Sequence, residues 1–425
     1  MDALLHSYGT GQLNSTSGDL ATLFYEAVIL ISILRPSSSH SRVPRSSWHM
    51  FLDDLSWLCD TQSGGKTVTS VGAEQISHAV RFWISANGRV KPKSLNYLEW
   101  ILSELQKLAC DPKLVAGDVE VQILDAAIRS SHERVGDYLR KLKIHVEKVA
   151  NQGACVEEDV ELLDDLHAIL EKRGDFRDLC KSAYCLRYRP SYRSLKQKIT
   201  QNSVPESWAY IRHYIGRLAS WPGASKRVVE MAKTSPHLFE GYEVAFVGQN
   251  LKSPSWVPVQ TEEFQNAMDN VRHSLHERIL DRGSMVTGLG AASAASIAVF
   301  LEKRRHHKFI PTVHAEISML EHFYLNNLTF AKGDRYVGCS KPSCYCCEMY
   351  MQFHPAQIRA RPCHGNAWSQ WSPPVAIKEG PDSHMRHSLA ILRRMLERLH
   401  HDIRTHILSG LSPRQRGLDS TTGFS

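Results

Sequence analysis

The chain is 425 residues long, enough for two or three domains, because single hydrophobic cores seldom grow past ~250–300 residues. Hydrophobic residues make up 42% and charged residues 22%, which excludes intrinsic disorder as the overall state. The formal net charge of +7 permits an anionic partner without demanding one, since it is spread over a large surface.

Met1 to Asn14 is polar, with neither the basic start nor the small-residue cleavage site of a signal peptide. The most apolar early run, Leu20 to Leu34, contains Glu26 and is too short to span a bilayer, so it reads as a buried helix and no membrane association is expected. A loop rich in serine and proline follows from Arg35 to Pro44. From about Gly18 to Ala232 the apolar spacing is helical almost throughout: Leu162, Leu163, Leu166, Ile169 and Leu170 form one such stripe, and Asn96–Leu108 and Val119–Ile128 behave alike. The expectation is a large all-α N-terminal region over 1–235, with no motif that assigns it a role.

The texture changes near Gly241. Tyr242–Val247 is the first convincing strand, bounded by Gly241 and Gly248. Helices are expected over 261–280 and 291–304, and a short strand over Phe309–Val313. Gly288-Leu289-Gly290-Ala291 lacks the lysine and spacing of a phosphate loop and reads as a loop entering a packed helix. Arg335–Cys339 predicts another strand, followed by a helix starting near Pro342, a good first-turn residue. Gln357–Arg361 and Pro374–Lys378 predict two more short strands. A last helix, Ser383–Leu408, carries Met385, Leu389, Leu392, Leu396, Leu399, Ile403 and Ile407 on one side and Arg386, Arg393, Arg394, Arg398 and Arg404 on the other. Strands alternating with helices point to an α/β sandwich over 236–410. The polar tail, 411–425, is expected to be disordered.

Of ten cysteines, Cys339, Cys344, Cys346 and Cys347 crowd into nine residues, too close together to staple distant elements. With no signal peptide, metal-binding thiols in a reducing intracellular compartment, cytoplasmic or nuclear, are the better account. His314-Ala315-Glu316 precedes this cluster, with His314 thirty residues before Cys344. One imidazole and two thiolates can hold a zinc ion and leave its fourth position to water, whose pKa the metal lowers towards ~7. A carboxylate two residues after the histidine, on the same first helical turn, can then carry protons. Cys344 and Cys347 share a helical face by the three-residue rule, whereas Cys346 points elsewhere. Two other readings stay open: a closed structural site with Cys363 or His364 as fourth ligand, and a thiol redox pair that leaves His314 and Glu316 unexplained.

On these motifs, the chain from about Tyr242 to Trp371 resembles the cytidine deaminase-like superfamily, and is most similar to the OTT-type nucleic acid/nucleotide deaminase family found in fungi. The matching segments are Val313-His314-Ala315-Glu316, Cys339 through Cys347, and Cys363-His364-Gly365. The resemblance implies a zinc-dependent nucleobase deaminase, with His314, Cys344 and Cys347 as metal ligands and Glu316 as proton shuttle. It implies a three-layer sandwich in which a mixed sheet of about five strands has helices on both faces. One departure stands out: Ser343 separates the proline from the first cysteine. This shifts the register of the metal loop enough to leave Cys346 as an alternative to Cys347.

Substrate residues are expected after the metal motif, where His364, Asn366 and Trp368, with Trp371, could read and stack a ring. Basic clusters at 187–198, interleaved with Tyr188 and Tyr192, and at 304–308 fit contact with single-stranded nucleic acid. The competing reading is a catalytically silent deaminase fold serving as a binding or scaffold protein with a structural zinc.

Overall fold

The computed structural model describes residues 17–34, 44–151, 157–200, 204–248, 251–252, 311–376 and 381–408. The expected helices at 261–280 and 291–304, the 288–291 stretch, the basic cluster at 304–308 and the tail lie outside the described residues.

Two helices open the described chain, α1 (Ser17–Leu34) and α2 (Ser47–Cys59). The expectation of an all-α region then needs correcting, because β1 (Thr69–Ile76) and β2 (Ala79–Ala86) form an antiparallel hairpin across Ser77 and His78. Helices follow in succession: α3 (Pro92–Cys110), α4 (Ala116–Ser130), α5 (His132–Ala150), α6 (Glu157–Glu171), α7 (Phe176–Leu186), α8 (Pro190–Thr200), α9 (Glu206–Leu218) and α10 (Ser220–Thr234). Then come β3 (Tyr242–Phe246), β4 (Leu251–Lys252), α11 (Ala315–Leu325), β5 (Gly338–Cys339), α12 (Tyr345–Phe353), β6 (Val375–Ala376) and α13 (Pro381–Leu408).

The main sheet has the order β3-β2-β1-β5. Strand β2 pairs parallel with β3 and antiparallel with β1, which pairs antiparallel with β5 through Ser70↔Cys339 and Val71↔Gly338. Among the described residues this sheet has four strands, where about five were expected; β4 and β6 pair apart from it. Single bridges join Thr312 to Trp371 and Tyr336 to Arg359, so the expected strand at 357–361 and the described part, 311–313, of that at 309–313 reduce to isolated pairings. The sheet draws on both sides of position 235, with two strands from before it and two from after.

Side chains alternate along a strand, and here each face meets a helix. Phe82 reaches Phe51 of α2, ring centroids 6.2 Å apart, while its neighbour Trp83 meets His322 of α11 at 4.1 Å. The hairpin escaped sequence reading because β1 is built for close approach rather than bulk. A Cβ on Gly72 would lie 2.8 Å from Phe323 and 2.9 Å from Met319, so α11 is seated directly on the strand backbone. Strand β1 therefore carries small residues at its centre, Ser70-Val71-Gly72-Ala73, and the glycine there weakens the strand signal of the β-branched residues before it.

The sheet separates two hydrophobic cores. One gathers α2, the hairpin and the helices of 92–234, with Leu52, Phe82, Ile101, Ile123 and Trp221 fully buried. The other gathers α1, α11, α12 and α13 around Phe24, Ile317, Tyr350 and Leu396. In α13 the arginines 386, 393, 394, 398 and 404 are exposed and Leu392, Leu396, Leu399 and Ile403 buried, as the amphipathic spacing predicts. No described helix is long and apolar enough to cross a membrane.

Two outcomes follow from this packing. A Cβ on Gly338 would sit 2.4 Å from the carbonyl of Leu52, backbone that cannot move aside cheaply. Gly338→Ala should destabilise by at least ~1–3 kcal/mol, and an unchanged urea midpoint would contradict this contact. Burial beside Trp83 lowers the His322 pKa from 6.5 to about 4. Below pH 6.5 the unfolded chain therefore gains a proton that the folded chain refuses until pH is near 4. His322 thus favours folding above that window and its contribution is lost as pH falls through it. The melting temperature should drop on acidification, and less steeply in His322→Gln.

Candidate metal centre

His314 and Cys344 occupy equivalent places in two helices. Each is the N-cap residue, of α11 and α12 respectively, with extended backbone (φ −75°, ψ 150° and φ −82°, ψ 166°). Cys344 also caps chemically, its Sγ accepting from the Cys347 N–H at 3.4 Å. Helix N-termini present unsatisfied N–H groups and partial positive charge, a setting that favours thiolate.

His314 Nδ1 lies 3.5 Å from Cys344 Sγ and 3.2 Å from Cys347 Sγ. A tetrahedral ion bound at the usual Zn–N and Zn–S lengths separates such donors by about 3.6 Å, so the three atoms fit one ion. No other His, Cys, Asp or Glu among the described residues joins the group. Cys363 and His364 do not close the fourth position, and Cys346 is not part of the set. Cys347 takes that place despite the Ser343 insertion, because α12 begins at Tyr345 and puts Cys347 one turn after its cap.

The electrostatics are those of a proton-sharing site. Burial alone would raise the Cys344 thiol, but hydrogen bonding to Cys347 and the His314 charge outweigh it and hold Cys344 well below the usual thiol range. Cys347 is pushed well above that range by burial and by its neighbours Cys344 and Glu316. Burial would lower His314, yet the Cys344 thiolate and Glu316 leave it raised. A cation displacing these shared protons would leave both sulfurs as thiolates.

Glu316 is buried, and burial raises its carboxyl against the opposing pull of His314. Its Oε2 lies 3.9 Å from the Cys339 thiol, which burial keeps protonated as a weak donor. Cys339, one of the four clustered cysteines, thus meets the carboxylate and lies outside the metal group.

Several supporting residues lie outside the motif. The Cys339 peptide is held on both sides, its N–H donating to Asp53 Oδ1 and its carbonyl accepting from Arg361 Nη1, each at 3.1 Å. Tyr336 donates to both Asp53 oxygens, at 3.0 and 3.1 Å, and Arg45 to Oδ2 at 2.9 Å. One residue on, Ser340 Oγ donates to Asp60 Oδ2 at 3.0 Å, and the wholly buried Arg134 of α5 lies 3.4 Å from the same oxygen. Around His314, Asn87 Oδ1 accepts from the Ala315 N–H and Ser85 Oγ donates to the Ala315 carbonyl, both at 2.8 Å. Trp371 Nε1 donates to Cys347 Sγ at 3.2 Å. The sequence signal for Asp53 and Asp60 was the presence of acids inside the apolar run Trp48–Asp60, since charges are rarely buried without a partner.

The expected substrate residues lie against the metal loop. His364 N–H donates to the Ser343 carbonyl and Tyr345 N–H to the Asn366 carbonyl, each at 3.0 Å. Both side chains are buried, whereas Trp368 is partly open. In the 187–198 cluster, Arg189 pairs with Asp165 at 2.6 Å and Tyr192 is buried, while Tyr188 is 57% exposed.

A second group of donor atoms comes from Glu321 of α11, His354 at the end of α12 and His387 of α13. His354 Nδ1 accepts from the Ala356 N–H at 3.1 Å, which leaves the ring proton on Nε2, 3.2 Å from Glu321 Oε1. That tautomer makes the group a hydrogen-bonded network, not a set of free lone pairs.

The deaminase family described as OTT_1508_deam-like deaminase matches residues 313–375, the segment that carries every member of the metal group. No curated protein and no solved structure matches the chain. Metal analysis of the dialysed protein should find about one ion per chain, lost in His314→Ala, Cys344→Ser and Cys347→Ser and kept in Cys346→Ser. Retention in Cys347→Ser with loss in Cys346→Ser would reverse the ligand assignment. Residues 313–375 thus resemble a deaminase in sequence and hold a His-Cys-Cys group able to bind a metal ion.

Proposed function

We propose that this protein is a zinc-dependent hydrolytic deaminase of a nucleobase, presented free, in a nucleotide or within nucleic acid. The observation that carries this reading is the convergence of His314 Nδ1 and the Cys344 and Cys347 sulfurs beside a buried carboxylate that is not among the donors. An imidazole with two thiolates is a zinc-type donor set, and the thiolates suit a reducing, intracellular setting. Bound zinc supplies a Lewis acid that makes water nucleophilic at neutral pH.

The chain's own residues account for the proton transfers. Deamination forms one C–O bond at the amidine-type ring carbon, breaks its C–N bond and releases ammonia. Glu316 takes a proton from the attacking water, gives it to the ring nitrogen and later delivers one to the departing amine. Burial suits it to this exchange by raising its proton affinity towards the working range. Asn87 and Ser85 fix the Ala315 peptide, and with it the spacing between His314 and Glu316.

A catalytically silent scaffold with a structural zinc is the second reading, and the large helical half is what favours it. A deamination screen across nucleosides, nucleotides and single-stranded DNA and RNA separates the two. Glu316→Gln should lower turnover at least ~10²–10⁴-fold, the usual worth of a general acid–base group, with metal content unchanged. Equal product from wild type and Glu316→Gln on every substrate would leave only the scaffold.

A further inference from the structure

We propose that the mouth of the metal centre carries a phosphate-binding rim made of Lys66, Arg89, Lys91, Lys93 and Lys341; this deepens the deaminase reading and rests on it for the identity of the base. The rim is formed by the two loops at one end of the β1–β2 hairpin. Between Thr61 and Leu98 the only acid is Glu74, which lies towards the other end of the hairpin and pairs with Arg81 at 3.2 Å. Lys66, Arg89, Lys91 and Lys93 are exposed.

These loops are tied to each other and to the site. Asn87 bridges them, its Nδ2 donating to the Gly65 carbonyl and its Oδ1 accepting the Ala315 N–H beside His314, each at 2.8 Å. Asn87 N–H donates to the Val68 carbonyl at 3.0 Å. Lys341, three residues before the ligand Cys344, reaches across from the metal loop to the Gly64 carbonyl at 2.7 Å. Lys91 Nζ meets Gln62 Oε1 at 3.3 Å. These partners are neutral, and no carboxylate pairs with any of the five cations among the described residues.

With no carboxylate partner among the described residues, these five cations repel one another, and the chain adds to that cost at α3. Lys91 is the N-cap of that helix and Lys93 lies in its first turn, with no acid there and no side-chain cap, the unfavourable sign for a helix dipole. A phosphate at this place relieves both terms, by charge pairing and by the helix N-terminus. The rim is distinct from the 187–198 cluster, where Arg189 already has Asp165. A base held at the metal centre would place its own 5′ or 3′ phosphate, or the adjoining phosphates of a strand, against these side chains.

The test uses the full-length, zinc-loaded protein in the Glu316→Gln background, so that ligands are not consumed. Binding of cytidine, CMP, adenosine, AMP, single-stranded oligonucleotides and inorganic tripolyphosphate is measured across a salt series. Phosphate-bearing ligands should bind at least about tenfold more tightly than their nucleosides at low salt, with a salt dependence that nucleosides lack. Lys66→Glu, Arg89→Glu and Lys91→Glu should each remove part of that gain and lower the salt slope by ~1, leaving nucleoside binding, metal content and circular dichroism unchanged. Arg193→Glu, in the other cluster, serves as the control. Oligonucleotides binding well above the mononucleotides would identify strand phosphates as the source; equal binding would identify a single nucleotide phosphate. Phosphate binding untouched by the rim reversals, or lost only in Arg193→Glu, would overturn the proposal. Rim-dependent binding of tripolyphosphate that no nucleoside or nucleotide base improves would keep the rim and remove the nucleobase reading.

Discussion

A buried carboxylate, that of Asp53, holds the sheet edge on which the metal loop is built. It accepts the Cys339 N–H and the Tyr336 hydroxyl and is flanked by the guanidinium groups of Arg45 and Arg361, with Arg361 Nε 3.7 Å away. A charge so deep in the molecule is tolerated only when its lone pairs are taken and its charge is matched. Here the matching groups come from before α2, from the segment ahead of β5 and from beyond α12, so four stretches of chain must meet for Asp53 to be buried at all. Cys339 is thereby fixed at the end of β5, and the metal loop starts from that point.

The same logic explains the helical half of the protein. Arg134, in the middle of the helical run, stacks over Trp57 at 4.1 Å and reaches Asp60, whose other contacts are Ser340 Oγ and Thr67 Oγ1. One carboxylate therefore gathers the helical run, the loop leading into β1 and the residue four places before Cys344. The helices of 92–234 are joined to the deaminase-like segment across the shared sheet and through buried charge. They act as a buttress to the site as well as a surface.

The candidate metal donors are concentrated at helix starts. Both N-caps, His314 and Cys344, contribute donor atoms, and the second thiol arrives one helical turn later. The two helices are brought together by different means. Gly72 lets α11 rest on the backbone of β1, while α12 is positioned by Trp371 on Cys347 and by the peptide contacts of His364 and Asn366 to the metal loop. Because the donors sit on the ends of packed helices, their separation is set by the core and not by loop flexibility.

The local periodicity of the chain and its chemically dense motifs were legible without coordinates. The stripe along α13 needs only the 3.6-residue period, since its apolar face is buried wherever the helix docks. That His314, Cys344 and Cys347 could share one ion was likewise readable, from a histidine at one helix start and two cysteines one turn apart at another. The hairpin was not: β1 is shaped by α11 lying on Gly72, a contact between residues about 250 positions apart that leaves no period in the sequence. The pairing of the supporting charges Asp53, Asp60, Arg134 and Arg361 was also illegible, because an acid's partner across the fold has no fixed sequence offset. Which of Cys346 and Cys347 lies beside His314 fell between these cases, open while the register after Ser343 was unknown and set by α12 beginning at Tyr345. Sequence by itself determined which atoms can bind a metal and carry a proton. Tertiary structure decided which of them meet and what charge surrounds them, because burial and distance depend on elements the chain brings together only on folding.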